Sequence, residues 1–189
     1  MEKIIVTEEI IWLAEKRIED IPILKDSIRG KEANLIGSIG EVMFEKFIQE
    51  QGLMLEKENG EQEKYNHDYI VEGKYTVDVK TKERSVVPKD SYDCTVAQKT
   101  LDHQKPDYFY FVSLLKKKDV LVAEAKFTEA FMLGATDLPT FVREGEVWNE
   151  GDVDVRNGKR IRVDCRSIEI CCLISNHEFI KILKSPIMF

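Results

Sequence analysis

The sequence predicts an α/β fold, a central mixed β-sheet flanked by helices, in a single domain spanning residues 1–189. Three observations carry that expectation. The N-terminal part of the chain repeats its apolar positions with helical spacing. From Tyr69 the period changes to two, which marks strands that bury one face. The length, 189 residues, is about one domain's worth, enough to bury close to ~70% of the unfolded surface without a disulfide or metal staple.

The elements follow in chain order. Thr7 to Asp20 places Ile10, Ile11, Leu13, Ala14 and Ile18 at helical spacing, with Thr7 as N-cap, Glu8 and Glu9 in the first turn, and Pro22 limiting extension. A second helix is predicted from about Asn34 to Glu50, with Ile36, Ile39, Met43, Phe47 and Ile48 on one stripe and Gly52 just past its end. Glu56 to Lys64 is polar and reads as a loop. Tyr69–Val71, a short turn at Glu72-Gly73 and Tyr75–Thr81 read as a β-hairpin.

Further strands are predicted at Asp93–Val96, Tyr108–Leu115 and Val120–Ala125, and the continuous aromatic run Asp107–Leu115 is that of a strand buried on both faces. Thr128–Gly134 reads as a short helix capped by Thr128. Phe141–Leu173 reads as strands with turns at Asn149–Asp152 and Asn157-Gly158, and Asn176 as the cap of a last helix to Leu183. In this organisation residues 1–30 are an N-terminal helical extension, 34–115 the core, and 116–189 additional strands with a C-terminal helix.

Hydrophobic residues at 43% and charged residues at 33% exclude a collagen-like, mucin-like or disordered chain. No apolar run approaches the ~18 residues that cross a bilayer. Met1–Thr7 is too polar for a signal peptide, and the four cysteines, Cys94, Cys165, Cys171 and Cys172, form no CxxC pair. Reduced thiols and a cytoplasmic location are the expectation. The net charge of −7 argues against a constitutive nucleic-acid coat protein. An enzyme that touches DNA transiently remains compatible, because a site built from carboxylates and a divalent metal is itself acidic.

Candidate chemistry lies between Asp68 and Lys82. In a strand over this region Val77, Val79 and Thr81 turn one way, and Thr76, Asp78, Lys80 and Lys82 the other. Asp78 and Lys80 then stand side by side, roughly 6–7 Å apart at the backbone, and the hairpin can bring Asp68 near Asp78. Two converging carboxylates repel unless a cation sits between them. Mg²⁺ is the natural candidate, since it takes oxygen ligands and is held by one or two carboxylates. A neighbouring lysine can orient or deprotonate a water. Taken alone, Asp-x-Lys in an alternating strand is more often a solvated face with a weak ion pair. A third element is Gly37-Ser-Ile-Gly40-Glu41 in the second helix. Glycines there cost about 1 kcal/mol each against alanine unless backbones must approach closely. Glu41 follows directly, off the apolar stripe; the plainer alternative is a helix start with a solvated acid.

Gly-x-x-Gly-Glu on a helix, then Asp68, then Asp78-x-Lys80 in a strand after a hairpin, resembles the PD-(D/E)xK nuclease superfamily over about residues 34–115. His67 stands where that family often has Pro, the second acid is Asp, and the Gln-x-x-x-Tyr motif of one branch is absent, because Asp102 lies four residues after Gln98. The resemblance implies a restriction-endonuclease-like core and a deoxyribonuclease dependent on Mg²⁺, with Mn²⁺ as a substitute, carried by a phage or mobile element. It implies Glu41, Asp68, Asp78 and Lys80 as catalytic residues, with the metal on Asp68, Asp78 and the Val79 carbonyl. Lys82, Gln98 and Lys99 are candidate DNA contacts. A homodimer through the first helix with Trp12 is a further expectation. The stretch holding Arg156, Lys159, Arg160, Arg162 and Arg166 reads equally as a phosphate site or a salt-bridged hairpin. Two other classes stand beside the enzyme: an inactive DNA- or protein-binding module on the same fold, and a structural phage or assembly protein with a chance motif. The last requires Glu41 to lie far from Asp78.

Overall fold

The computed structural model describes residues 1–19, 31–57, 67–117, 126–156 and 158–186. Its centre is strand β6 (Tyr108–Lys116), buried from Phe109 to Leu114. On one side β6 pairs in parallel with β4 (Tyr75–Arg84) and on the other antiparallel with β7 (Phe127–Asp137). The sheet is completed antiparallel by β1 (Glu2–Ile5) beyond β7, and by β3 (Tyr69–Val71) and β2 (Leu55–Lys57) beyond β4. This is the mixed sheet that the sequence predicts.

Alternation along β6 serves two cores, one on each face. Tyr110, Val112 and Leu114 pack with helices α1 (Glu8–Ile18), α2 (Lys31–Glu50) and α5 (Asn176–Lys184) around Ile11, Ile39, Phe44 and Phe179. Phe109 and Phe111 face the opposite layer, with Phe141 and Ile168. That layer is a small antiparallel sheet, β5 (Asp93–Ala97), β11 (Cys165–Glu169) and β8 (Glu146–Trp148), with α3 (Gln98–His103) and α4 (Leu138–Glu144). Strands β9 (Val153–Asp154) and β10 (Lys159–Arg160) pair separately. Each face of β6 is covered, which is why its sequence is a continuous apolar run rather than an alternating one.

Local rules place most elements. Thr7 caps α1 by accepting the Ile10 N–H at 3.4 Å. Glu72 and Gly73 both have positive φ, 55° and 61°, the conformation that a tight hairpin turn demands. Gly52 follows α2 at φ 70°.

Elsewhere the structure corrects the sequence. Thr128–Gly134 is not a helix but part of β7, whose Glu, Ala, Met and Leu residues favour helix locally. Pairing with β6 and β1 on both edges, and burial from Ala130 to Thr136, override that preference. Phe141 lies in helix α4, capped by Asp137 through the Thr140 N–H at 2.8 Å, rather than in a strand. The last helix is capped by Ser175, one residue before the expected Asn176, whose side chain instead ties Tyr110 Oη to the Met132 carbonyl. The N-terminal segment begins with a sheet strand, β1, and β2 lies in the stretch read as a loop. Pro22, the remainder of that loop from residue 58 to 64, the strand expected at Val120–Ala125 and Asn157 of the expected turn lie outside the described residues.

Trp12 is 57% exposed on α1. The four cysteines are free, Cys94 and Cys165 buried, Cys171 and Cys172 exposed. Among the described residues no helix is long and apolar enough to cross a membrane.

Candidate functional site

The short strand β3 creates the site. It pairs with β4 only over Tyr75–Val77, whereas β4 runs on to Arg84 with β6 at its other edge. Beyond Val77, no strand among the described residues pairs with β4 on the β3 side, and the sheet has a notch there. Asp68, immediately before β3, lines it. Its N–H donates to the Val77 carbonyl at 3.1 Å and its Oδ2 accepts the Val79 N–H at 2.7 Å. A side-chain oxygen thus continues the ladder where a backbone carbonyl would stand. A strand residue directs its N–H and C=O to the same edge, so the Val79 carbonyl also faces the notch.

Val77 and Val79 join the core beneath α2, and Thr81 meets α2 at Gly40, as the alternation predicts. Asp78 and Lys80 point the other way. Asp78 is 1% exposed. Lys80 Nζ lies 2.5 Å from its Oδ2 and donates to Gln104 Oε1 at 3.2 Å, above the Phe109 ring. The approach to Oδ2 is an ion pair rather than a well-angled hydrogen bond, so that buried oxygen keeps acceptor capacity.

Glu41 reaches the notch from α2, where Lys57 of β2 donates to its Oε2 at 3.2 Å. Gly40 lets the helix come this close: a Cβ there would lie 1.8 Å from Thr81 Oγ1. Close approach therefore explains Gly40, but not Gly37, whose Cβ would meet nothing within 4 Å. One turn further along α2, Glu45 forms a two-bonded pair with Arg17 of α1 and accepts the Tyr69 hydroxyl at 2.7 Å. This network locks α1, α2 and β3 together beneath the acids.

The acids affect one another. Burial, and then the Asp78 carboxylate, push Asp68 up to about 7 against the opposing pull of Lys80, the Val79 N–H and Lys57. Burial, and then Asp68, raise Glu41, while Lys57 opposes. Burial raises Asp78; Lys80 pulls it back and Glu41 adds to the rise. The cluster is thus short of positive charge, and Glu41 acts electrostatically on both Asp68 and Asp78.

Asp68, Asp78 and the Val79 carbonyl are hard oxygen donors of the kind Mg²⁺ takes, and two carboxylates suffice for it. The under-satisfied Asp78 Oδ2 and the shared excess of negative charge fit such an ion. Among the described residues no three His, Cys, Asp or Glu side chains stand close enough to hold a metal together. Any ion here therefore draws on two carboxylates, the backbone and water.

The other expected contacts divide. Lys82 is exposed on the Asp78–Lys80 side of β4, 3.5 Å from Thr95 Oγ1. Gln98 and Lys99 open helix α3, and the Gln98 amide donates to Asp102 at 2.8 Å. In the basic stretch Arg156 is bound to Asp154 and Asp93, the salt-bridged alternative, and Arg166 donates to the Val142 and Gly145 carbonyls. Sequence reading missed Gln104, Lys57 and the Arg17–Glu45–Tyr69 network. Of these only Glu45 carried a signal, four residues from Glu41 and hence on the same helix face. Comparison of the chain with protein-family models, curated proteins and solved structures gives no match.

Proposed function

We propose that the notch hydrolyses DNA phosphodiester bonds with a divalent cation, in the manner that the resemblance to PD-(D/E)xK nucleases implies. One observation carries the reading. Glu41 of α2, Asp68 just before β3, and Asp78 and Lys80 of β4 act on one another electrostatically at the sheet edge, where Asp68 bonds the Val79 N–H. The finer fold assignment, a restriction-endonuclease-like core made of α2, β2–β4 and β6, belongs to the same proposal.

Asp68, Asp78 and the Val79 carbonyl would hold Mg²⁺, which supplies a Lewis acid for the phosphate and makes a bound water more acidic. The chain's own residues do the positioning. Lys80, limited in its reach by Gln104 and Asp78, directs its ammonium to the attacking water or a phosphate oxygen. Glu41 is held by Lys57 on Oε2 and presents its remaining lone pairs to water. Burial and the Asp68 carboxylate raise it above its ordinary value, which makes it a better proton acceptor. The Glu45–Arg17–Tyr69 network fixes the helix that carries it.

A second reading, a non-catalytic DNA- or protein-binding module, is favoured by the Lys80 ammonium, which already neutralises Asp78. Two measurements separate them. One is calorimetric titration with Mg²⁺ and Mn²⁺; the other is a cleavage panel on linear, circular, single-stranded and branched DNA. Asp78→Ala is expected to abolish metal-dependent cleavage with the fold intact, and Lys80→Ala to bind metal without cleaving. Cleavage by Asp78→Ala at the wild-type rate, or metal binding unchanged in the Asp68/Asp78 double variant, overturns the enzyme reading.

A further inference from the structure

Beyond Asp78, the same face of β4 carries Lys80, Lys82 and Arg84 at alternate positions, each about 6–7 Å from the next by strand rise. That interval is close to the separation of consecutive phosphates along an extended nucleic acid strand. The three cations border a narrow crevice between β4 and β5, lined also by Asp93, Thr95 and Phe111.

The charge pattern of this crevice is unusual for a chain of net charge −7. Among the described residues neither Lys82 nor Arg84 forms an ion pair with a carboxylate. Among the described residues the Lys82 ammonium reaches the Thr95 hydroxyl alone, at 3.5 Å. Arg84 donates one Nη to the Asp93 carbonyl at 2.7 Å and stacks on Tyr92, while its buried Nε has no acceptor among the described residues. The one carboxylate of the lining among the described residues, Asp93, is ion-paired with Arg156 from the β9–β10 hairpin. Although the side chain as a whole is exposed, desolvation of its ammonium end first, and then Arg84, lower Lys82 from its ordinary value, against the pull of Cys94, Asp93 and Cys165. Two cations therefore stand side by side with, among the described residues, only the Asp93 carboxylate, shared with Arg156, acting on both. Like charges side by side oppose each other, and a bound anion would offset that repulsion.

We propose that Lys82 and Arg84, with the Thr95 hydroxyl opposite, form a phosphate track that leads a DNA strand away from the acidic notch. They hold the two phosphates that follow the one at Lys80. The track rests on the nuclease reading and deepens it: it fixes the path of the strand along β4, and it recruits Arg84 and Thr95 in place of Gln98, whose amide is already engaged by Asp102.

The test is fluorescence anisotropy of a labelled single-stranded DNA oligonucleotide, titrated with full-length protein at several salt concentrations. The proteins are wild type, Lys82→Gln, Arg84→Gln, Arg84→Lys and, as a charge-matched control on α1, Lys16→Gln. Removing one cation that neutralises a phosphate lowers the slope of log affinity against log salt by roughly 0.7, the single-strand value. Lys82→Gln and Arg84→Gln are each expected to show that drop with weaker binding, Arg84→Lys to keep the wild-type slope, and Lys16→Gln to change nothing. Lys82 is exposed, so its variant stays informative even where an Arg84 variant fails to fold. Unchanged slopes in Lys82→Gln, or an equal loss in Lys16→Gln, overturn the track. Track-dependent binding without cleavage under any metal supports the track and removes the nuclease reading. Cleavage that needs Asp78 but is indifferent to Lys82 and Arg84 does the reverse. Wild-type protein that does not bind the oligonucleotide overturns the track outright.

Discussion

Replacing Gly40 by alanine tests the packing that brings Glu41 to the sheet. The added Cβ would lie 1.8 Å from Thr81 Oγ1 and 2.9 Å from both Thr81 Cβ and Cγ2. Rotation of Thr81 moves the hydroxyl away but leaves Cβ where the β4 backbone fixes it, so α2 must lift from the strand. Overpacking of this kind costs typically ~1–3 kcal/mol, and this overlap is severe enough for the upper end or beyond. Alanine returns about 1 kcal/mol of helix propensity, which leaves a net loss of about 2 kcal/mol. In a Thr81→Ala background the Oγ1 and Cγ2 contacts vanish while the 2.9 Å contact with Cβ stays, so the loss should shrink without disappearing. Thr81→Ala should itself cost little, because the buried Oγ1 makes no hydrogen bond among the described residues. Gly37→Ala is the internal control: it meets nothing within 4 Å and should gain up to about 1 kcal/mol. Urea unfolding of wild type, the single variants and the Gly40/Thr81 double variant gives the coupling energy. A Gly40→Ala protein as stable as wild type, or one equally destabilised with and without Thr81, would refute the reasoning. So would Gly37→Ala costing as much as Gly40→Ala.

The remaining predictions concern the acids and their supports. Asp68 titrates near 7 when folded and near its ordinary 3.8 when unfolded, so the folded protein binds more protons between those limits. Without metal, stability should therefore fall as pH rises from about 4 to about 7, by on the order of 2–4 kcal/mol. Asp68→Asn should remove most of that slope in denaturant titrations at each pH, and an identical slope in both proteins would count against the acidic cluster. Saturation with Mg²⁺ at about a hundred times its dissociation constant should stabilise the wild type by about 2.7 kcal/mol. The rise in thermal midpoint should disappear in Asp68→Asn/Asp78→Asn; an equal rise in both proteins would place the ion elsewhere. Glu45→Ala strips the Arg17 guanidinium of its carboxylate and the Tyr69 hydroxyl of its acceptor. It should cost about 2–4 kcal/mol in the same unfolding assay, and a loss well below 1 kcal/mol would reduce the network to a surface ion pair.

Much of the fold was legible because it is written in short-range periodicity. The α1 and α2 stripes, the Glu72-Gly73 turn and the aromatic run of β6 each encode their environment within a few residues. So does the alternation of β4, which placed Val77, Val79 and Thr81 under the helix and Asp78 and Lys80 on the far face. The misreadings fall where long-range pairing outweighs local preference. Residues 128–134 include the helix formers Glu129, Ala130, Met132 and Leu133 but are held as a strand by neighbours on both edges, and β1 is too short to announce itself. At the site, the residue types and their order were readable, but their meeting was not. Only the early end of β3 opens the notch that lets Asp68 bond the Val79 N–H, and only the missing Cβ at Gly40 lets Glu41 approach. Lys57, Gln104 and Arg84 acquire their neighbours from elements distant in sequence. By itself the sequence determined the mixed α/β class and the acids and lysine at issue, because side-chain periodicity is a property of one strand or one helix. The tertiary structure alone decided that these groups share a low-dielectric edge and shift one another's protonation, because electrostatic coupling depends on distances that no single segment contains.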